Sequence, residues 1–377
     1  MSTQQADRWS RDASLVLAFT LPTDTLLYLL LPLHAASFGV SLAEAGLLLA
    51  ANRLIRIVGY GFVARGYERN GPRTACILAV FGSALSSLGY ALLPGVWTLL
   101  IARLMWGLGF AAMNIATQAL ATHTPEGALR RSGRSRAIIA AGPMVWLPLG
   151  ALLAEWYGPQ FVFIVLAAIA MLGLPFALRL PAGQGDKVRG APRFGLPRRL
   201  DSWSFIQGAA LDGVFVLGLS LVVTASLGQG AILAAGAALS IRYVSEILLG
   251  PAGGALGERF GALRMLILLS LASAAGLALV GLGVTWPLAM WPGVLLVVGL
   301  RGLLQPLPPP VAAALSPPEE RVSALARLAT WRDLGAGAGP LVAGALMPIL
   351  HPSALYLGAA AALAVISLAL ARENKFA

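Results

Sequence analysis

Apolar residues run along this chain in blocks of about 20, separated by short turns rich in glycine, proline and arginine. Blocks of that length cross the hydrocarbon core of a bilayer as helices. Twelve can be drawn, over 14–38, 42–65, 74–94, 97–121, 134–155, 160–180, 202–226, 229–255, 264–284, 287–312, 322–349 and 353–372. The period-two alternation of barrel strands is missing from them, so the pattern predicts an all-α membrane protein of twelve transmembrane helices. Two stretches organise it: Leu47 to Arg73, LLLAANRLIRIVGYGFVARGYERNGPR, and Gly236 to Arg264, GAALSIRYVSEILLGPAGGALGERFGALR. Each carries charge at mid-depth and ends in a Glu-Arg-x-Gly turn followed by another basic residue.

Those stretches are one half of the chain apart, since Glu68 and Glu258 are separated by 190 residues. Other positions repeat at similar offsets. Asp24 stands opposite Asp212 at 188, Arg103 opposite Arg301 at 198, and Gly142-Pro143 opposite Gly339-Pro340 at 197. Two pseudo-symmetric six-helix bundles, related by an axis along the membrane normal, are the expectation. They would occupy residues 1–180 and 202–377, joined by a Pro, Gly and Arg-rich cytoplasmic linker over 181–201.

Composition agrees and adds the membrane. The chain has 377 residues, of which 58% are hydrophobic and 11% charged, with a mean hydropathy of +0.79. A soluble domain carries about a quarter charged residues. The net charge of +11 suggests nucleic acid only if the basic residues share a soluble face, and they do not. With a cytoplasmic N-terminus, 21 Lys and Arg fall on inside segments and none on outside loops. That asymmetry sets both termini inside and makes the excess charge a topogenic coat facing anionic lipid. Trp97, Trp156, Trp286 and Trp291 at outer ends, and Trp203 at an inner end, fit interfacial belts. The polar N-terminus has no small-residue cleavage site after the first apolar block, so that block is expected to stay as a helix. Cys76 is the single cysteine, which excludes an internal disulfide and a cysteine metal cluster. No metal and no cofactor are expected.

Charges left inside the blocks are the candidate chemistry. They are Arg53, Arg56, Arg103, Arg242, Arg301 and Arg332, against Asp24, Asp212, Glu246 and Asp333. Each would be costly against lipid, so they must face one another or an aqueous gap between the bundles. Arg242 and Glu246, at i and i+4, could simply neutralise each other. Arg332 and Asp333 are expected to find partners on other helices. Arg53 and Arg56, with Asn52 beside them, lack an acid on their own helix, so another helix or a substrate must answer them. Asp24 is the candidate proton carrier, because an arginine moving toward or away from it would switch its proton; a permanent salt bridge to Arg53 or Arg56 is the alternative. Asp212 is its repeat partner. Trp146 and Trp331 inside helices are packing residues by default and substrate-stacking residues otherwise. Prolines at 22, 32, 143, 148, 306, 308–310, 340 and 348 favour bends around a central cavity.

These features resemble the major facilitator superfamily, and within it the twelve-helix drug and metabolite exporters. The loop after the second helix is similar to the family's G-x-x-x-D-R-x-G-R-R/K. Gly254, Glu258, Arg259, Gly261 and Arg264 match in the second copy; Glu68, Arg69, Gly71 and Arg73 match in the first, where Ala64 replaces the leading Gly. The resemblance implies that this loop pairs with neighbouring helix ends to hold the outward-facing state. Arg103-Leu-Met-Trp-Gly107 resembles the fourth-helix motif, whose arginine is linked to proton coupling. Gly142-Pro143 resembles part of the antiport motif, to which Gly339-Pro340 is closer. Together with Arg332 and Asp333, these are the expected gating residues.

The resemblance implies a proton-coupled exporter of a small solute in the cytoplasmic membrane, working by alternating access, as a monomer, and not an enzyme. The six central arginines against four acids favour an anionic or zwitterionic substrate. Proton symport is the alternative. A membrane enzyme is a further one, disfavoured because His34, His123 and His351 are scattered; a channel is disfavoured because no filter-like segment repeats.

Overall fold

The computed structural model describes residues 3–183, 197–215, 231–283, 287–346 and 350–373. Helices over these residues are α1 (Thr3–Leu33), α2 (Leu42–Leu92), α3 (Val96–Ala121), α4 (Ala128–Tyr157), α5 (Pro159–Met171) and α6 (Leu174–Leu178). They continue as α7 (Arg199–Gln207), which widens into a π-helical turn over Gly208–Val214, then α8 (Ala231–Phe260) and α9 (Ala262–Gly283). The last are α10 (Pro287–Leu304), α11 (Pro308–Ala314), α12 (Arg321–Leu346) and α13 (Pro352–Glu373). Every apolar block of the sequence falls on this series. Most of the 181–201 linker, the later part of the seventh block, Trp286 and Pro348 lie outside the described residues.

Length explains the one composite element. A straight helix of the 51 residues of α2 would measure roughly 77 Å, more than twice a hydrocarbon core. The chain folds back at Gly71, whose φ of 77° and ψ of 170° interrupt the helix. Glycine is required there, because a Cβ would lie 1.9 Å from the carbonyl oxygen of Gly183. Two blocks of the sequence are therefore two limbs of one element. Blocks six and ten show the converse, each being split near glycine or proline into α5–α6 and α10–α11.

Among the described residues, eight helical segments are long and apolar enough to cross a membrane. Their exposed side chains include Leu47, Leu54, Phe62, Ile101, Leu295 and Val365, each more than 50% exposed. In water that surface would drive aggregation; against acyl chains it is matched. Trp97, Trp156 and Trp291 are 75%, 65% and 47% exposed at the predicted outer ends. Trp203 departs from the interfacial expectation: it is 1% exposed and its Nε1 donates to Ser270 Oγ at 3.1 Å.

Small residues bring helices into backbone contact, as lipid-embedded packing requires. A Cβ on Gly142 would meet Ala18 O of α1 at 2.0 Å, and one on Gly339 would meet Ala209 O at 2.5 Å. The repeated Gly-Pro pairs thus seat α4 on α1 and α12 on the start of the wide turn, equivalent places in the two halves of the sequence. Other glycines join the halves to each other. A Cβ on Gly133 would meet Gly250 O at 2.7 Å, and one on Gly254 would meet Leu129 O at 2.5 Å, so α4 and α8 pack backbone to backbone.

All these α4–α8 contacts lie at the end of the molecule that carries the basic residues. There the arginines are cross-links as well as coat. Arg131, 2% exposed, donates to the carbonyls of Ala121 and Glu126 at 2.8 and 2.9 Å. Arg321 donates to the His123 carbonyl at 2.8 Å, tying α12 to the end of α3, and Arg327 pairs with Asp201 at 2.8 Å. The Glu258 carboxylate accepts from the Arg130 amide at 3.2 Å in the first turn of α4, where a negative charge complements the helix dipole. Its counterpart Glu68 has a buried Oε1 without a hydrogen bond. Arg73 donates to Leu180 O at 2.7 Å, while Arg69, Arg259 and Arg264 are exposed.

Candidate functional site

The buried charges of the bundle assemble into three connected groups. On α1, Asp24 accepts from Arg103 Nη1 of α3 at 2.5 Å and from Asn52 Nδ2 of α2 at 3.0 Å. Arg103 is fully buried and also donates to the carbonyl of Leu48 at 3.2 Å, with its guanidinium 5.2 Å from the Tyr28 ring centre. Asp24 is thus paired with Arg103 and not with Arg53 or Arg56, because Arg103 reaches across from α3 while those two lie further down α2.

The second group repeats the first. Asp212, in the wide turn after α7, accepts from Arg301 Nη2 of α10 at 2.7 Å and from Arg332 Nη2 of α12 at 2.9 Å. Arg301 Nη1 also pairs with Glu246, so this guanidinium serves two carboxylates. Arg242 lies 3.7 Å from Glu246 and 4.0 Å from Asp212, which makes the expected i,i+4 pair one edge of a larger network. Offsets read from the sequence are realised in space: Asp24–Arg103 and Asp212–Arg301 are equivalent pairs, and Asn52 and Arg56 stand where Arg242 and Glu246 stand 190 residues later.

The third group joins the halves. Asp333 of α12 accepts from Arg56 Nη2 at 3.3 Å and from the Tyr60 hydroxyl at 3.2 Å, both on α2. The Arg56 guanidinium lies 4.5 Å over the Phe110 ring, and Asn114 donates to the Tyr60 oxygen at 3.2 Å. Neighbours in sequence, Arg332 and Asp333 thus bind partners on different elements, Arg332 toward α7 and Asp333 toward α2.

Beside this junction is a small cavity, partly open to its surroundings. Tyr60, Asn114, Gln118, Arg332 and Asp333 line it, and so do residues that sequence reasoning missed: Arg136, Trp203, Gln207 and Gln305. Read along the chain, Arg136 counts among the 21 basic residues of the inside segments. It sits eight residues into α4, roughly 12 Å along the helix, too deep for a residue at a helix mouth. The 197-residue offset of the Gly-Pro pairs would have found it, since that offset places Arg136 opposite Asp333. Asn114 and Gln118, at i and i+4 on an apolar block, were a legible polar stripe.

Other expected site residues lie elsewhere. Trp146 packs against the apolar core formed by Leu26, Leu30 and Phe163, and Trp331 meets Phe205 edge-on at 6.3 Å; neither lines the cavity. Arg53 has a buried Nη1 without a hydrogen bond and lies beside Gly337 rather than in the cavity. Among the described residues no group of three His, Cys, Asp or Glu could hold a metal ion.

The profile described as Major Facilitator Superfamily matches residues 13–234 and 210–375, together nearly the whole chain. The chain belongs to the Major Facilitator Superfamily. Among its relatives, the MFS-type transporter YhhS of Escherichia coli is 27% identical over 354 residues, covering 89% of this chain and 85% of that one. The YhhS protein of Salmonella typhimurium is also 27% identical, covering 90% and 85%. Superfamily structures share the fold. The human organic anion transporter MFSD10 superposes with a TM-score of 0.80 at 17% identity, covering 98% of this chain and 100% of that one. The proton:xylose symporter XylE superposes at 0.79 and 15%, covering 98% and 95%. This superfamily protein is accordingly a multi-pass membrane protein and a secondary transporter of small molecules, and it has the all-α major facilitator fold.

Proposed function

We propose that the protein is a proton-coupled transporter of a small organic anion or zwitterion, working by alternating access. The observation that carries this is the charge at the cavity between the halves: Arg136 and Arg332 line it against a single carboxylate, Asp333. Such an excess attracts anions and repels cations. In this reading the halves 1–180 and 202–377 rock about the cavity, with 181–201 as their linker. Asp24 and Asp212, each held by the equivalent arginine, carry protons. The α4–α8 glycine contact, the Arg130–Glu258 bond and the Asp333 bridge to Arg56 open and close the basic end. That end is cytoplasmic, the membrane is the bacterial inner membrane, and the monomer is the working unit. Similar folds include an organic anion transporter and two proton symporters, XylE and FucP, which lends weight to both the ligand class and the coupling ion.

Resemblance to the exporter branch favours efflux by antiport. The charge arrangement favours symport instead, for a definite reason: the carboxylates share arginines with the cavity. An anion arriving at Arg332 loosens that residue's hold on Asp212 and favours the protonated acid, so anion and proton bind together. Proteoliposomes with an imposed pH gradient separate the readings. Anion accumulation toward the alkaline side supports symport, and its expulsion toward the acidic side supports antiport. Asp24→Asn is expected to abolish the gradient dependence. Gradient-independent transport by the unmodified protein, or a preference for matched cations, would remove the reading.

A further inference from the structure

Three polar groups in the cavity have no partner. Arg136 forms neither hydrogen bond nor ion pair among the described residues, and the same holds for the side-chain amides of Gln207 and Gln305, which are 4% and 5% exposed. All three line one cavity, from α4, α7 and the end of α10. Every other arginine lining it or bounding it is answered: Arg56 by Asp333, Arg301 by Asp212 and Glu246, Arg332 by Asp212, and Arg242 by Glu246. Glu246 and Asp212, the carboxylates whose charge reaches Arg136, are already hydrogen-bonded to Arg301 and Arg332, so the Arg136 guanidinium keeps its donors for another anion. Groups of this kind, converging on one space, are the signature of a ligand that completes them.

We propose that Arg136 anchors the carboxylate of the transported solute, with Gln207 and Gln305 binding its neutral hydroxyl or carbonyl groups. This rests on the anion-transport reading above and assigns its ligand site. A guanidinium presents paired N–H donors that match the two oxygens of a carboxylate, which a primary amide or an ammonium group cannot use. Phe110 and Trp203 belong to the cavity's apolar lining. The solute is therefore a compact carboxylate bearing uncharged polar groups. Position adds a second argument. Arg136 is the counterpart of Asp333 in the sequence repeat, so the inter-half bridge has an acid on α12 and a base on α4. The acid is taken by Arg56; the base is left for the solute.

Matched six-carbon probes test this on the purified full-length protein: gluconate, gluconamide and glucamine, followed by tryptophan fluorescence and by thermal shift. Gluconate is expected to bind at least tenfold tighter than gluconamide, and glucamine not at all. Arg136→Gln should weaken gluconate about tenfold while leaving gluconamide unchanged, and Arg136→Lys should retain part of the preference. Gln305→Leu should weaken both probes without altering their ratio, which keeps the test decisive if Arg136→Gln fails to fold. Arg134→Gln, exposed on the same helix, is the control and should change nothing. A gluconate preference that survives Arg136→Gln overturns the anchor while leaving the anion reading intact. Binding of glucamine in place of gluconate, or of neither carboxylate nor amide, overturns the anchor, and the first of these removes the anion reading as well.

Discussion

Asp24 and Arg103 show why a charge can lie at mid-bilayer depth. The acid has two donors, and the guanidinium has the acid, a helix carbonyl and the face of Tyr28, so each is satisfied only while the other is present. Breaking such a pair by removing one partner costs on the order of 3–5 kcal/mol. Arg103→Ala is therefore expected to lower thermal stability steeply, and adding Asp24→Asn should restore much of it, since the orphaned charge is gone. A double variant no more stable than Arg103→Ala would show that the pair is not coupled. Glu68, at the basic-end turn outside the membrane-spanning limbs, carries a different signature. Burial raises its carboxyl to about 7 from an ordinary 4.5, against the opposing pull of Arg65. The folded protein thus binds a proton that the unfolded chain releases between those values, and stability falls as pH rises from 4.5 to 7. Glu68→Gln removes the burden of the ionised form. Its unfolding midpoint should match the unmodified protein at pH below 4.5 and exceed it above 7, and equal midpoints across that range would show that Glu68 ionises freely.

At the scale of elements, α4 does most to connect the halves. Gly142 seats it on α1, while Gly133 receives α8 and Gly254 of α8 receives α4. No side chain fits where a Cβ would lie 2.5 Å from the Leu129 carbonyl oxygen. Gly254→Val is expected to prise the basic end apart. In a Cys76→Ser background, a cysteine in place of buried Gln118 should be labelled by a polar maleimide several-fold faster with Gly254→Val than without it. Equal labelling rates would mean that the contact does not control access. The wide turn over Gly208–Val214 performs a comparable task on the other side. It presents Asp212 to Arg301 and Arg332 together, and helical turns of this width recur at functional sites.

For the whole molecule, the basic residues gather at one end and the far end carries exposed tryptophans, an asymmetry that orients the chain. Single cysteines at Asn70 and Ser37 are expected to react from opposite faces of the membrane, Asn70 from the cytoplasm. Labelling of both from one face would overturn the proposed topology. Asp333→Asn tests the bridge between halves: with one inter-half ion pair lost, basic-end opening should become more frequent and solute exchange less dependent on the proton gradient. Unchanged gradient dependence would place the coupling elsewhere.

The linear chain determined what depends on length, period and composition. Twelve apolar blocks, the basic asymmetry and the repeat offsets follow from residues read in order, because bilayer thickness and helical rise are fixed quantities. The same list gave the ten charges that must be buried, since a charge in an apolar block has few places to go. It did not assign their partners. That Asp24 belongs to Arg103, that Arg332 and Asp333 turn to different helices, and that Trp146 packs while Trp203 lines a cavity depend on how helices rotate about their axes. Small residues far apart in sequence set those rotations through contacts such as Gly133 with Gly250. Arg136 illustrates the division. Its charge and its place in a block were visible, but only tertiary packing left it without a direct ion pair among the described residues, because the acid at the equivalent position is held by Arg56.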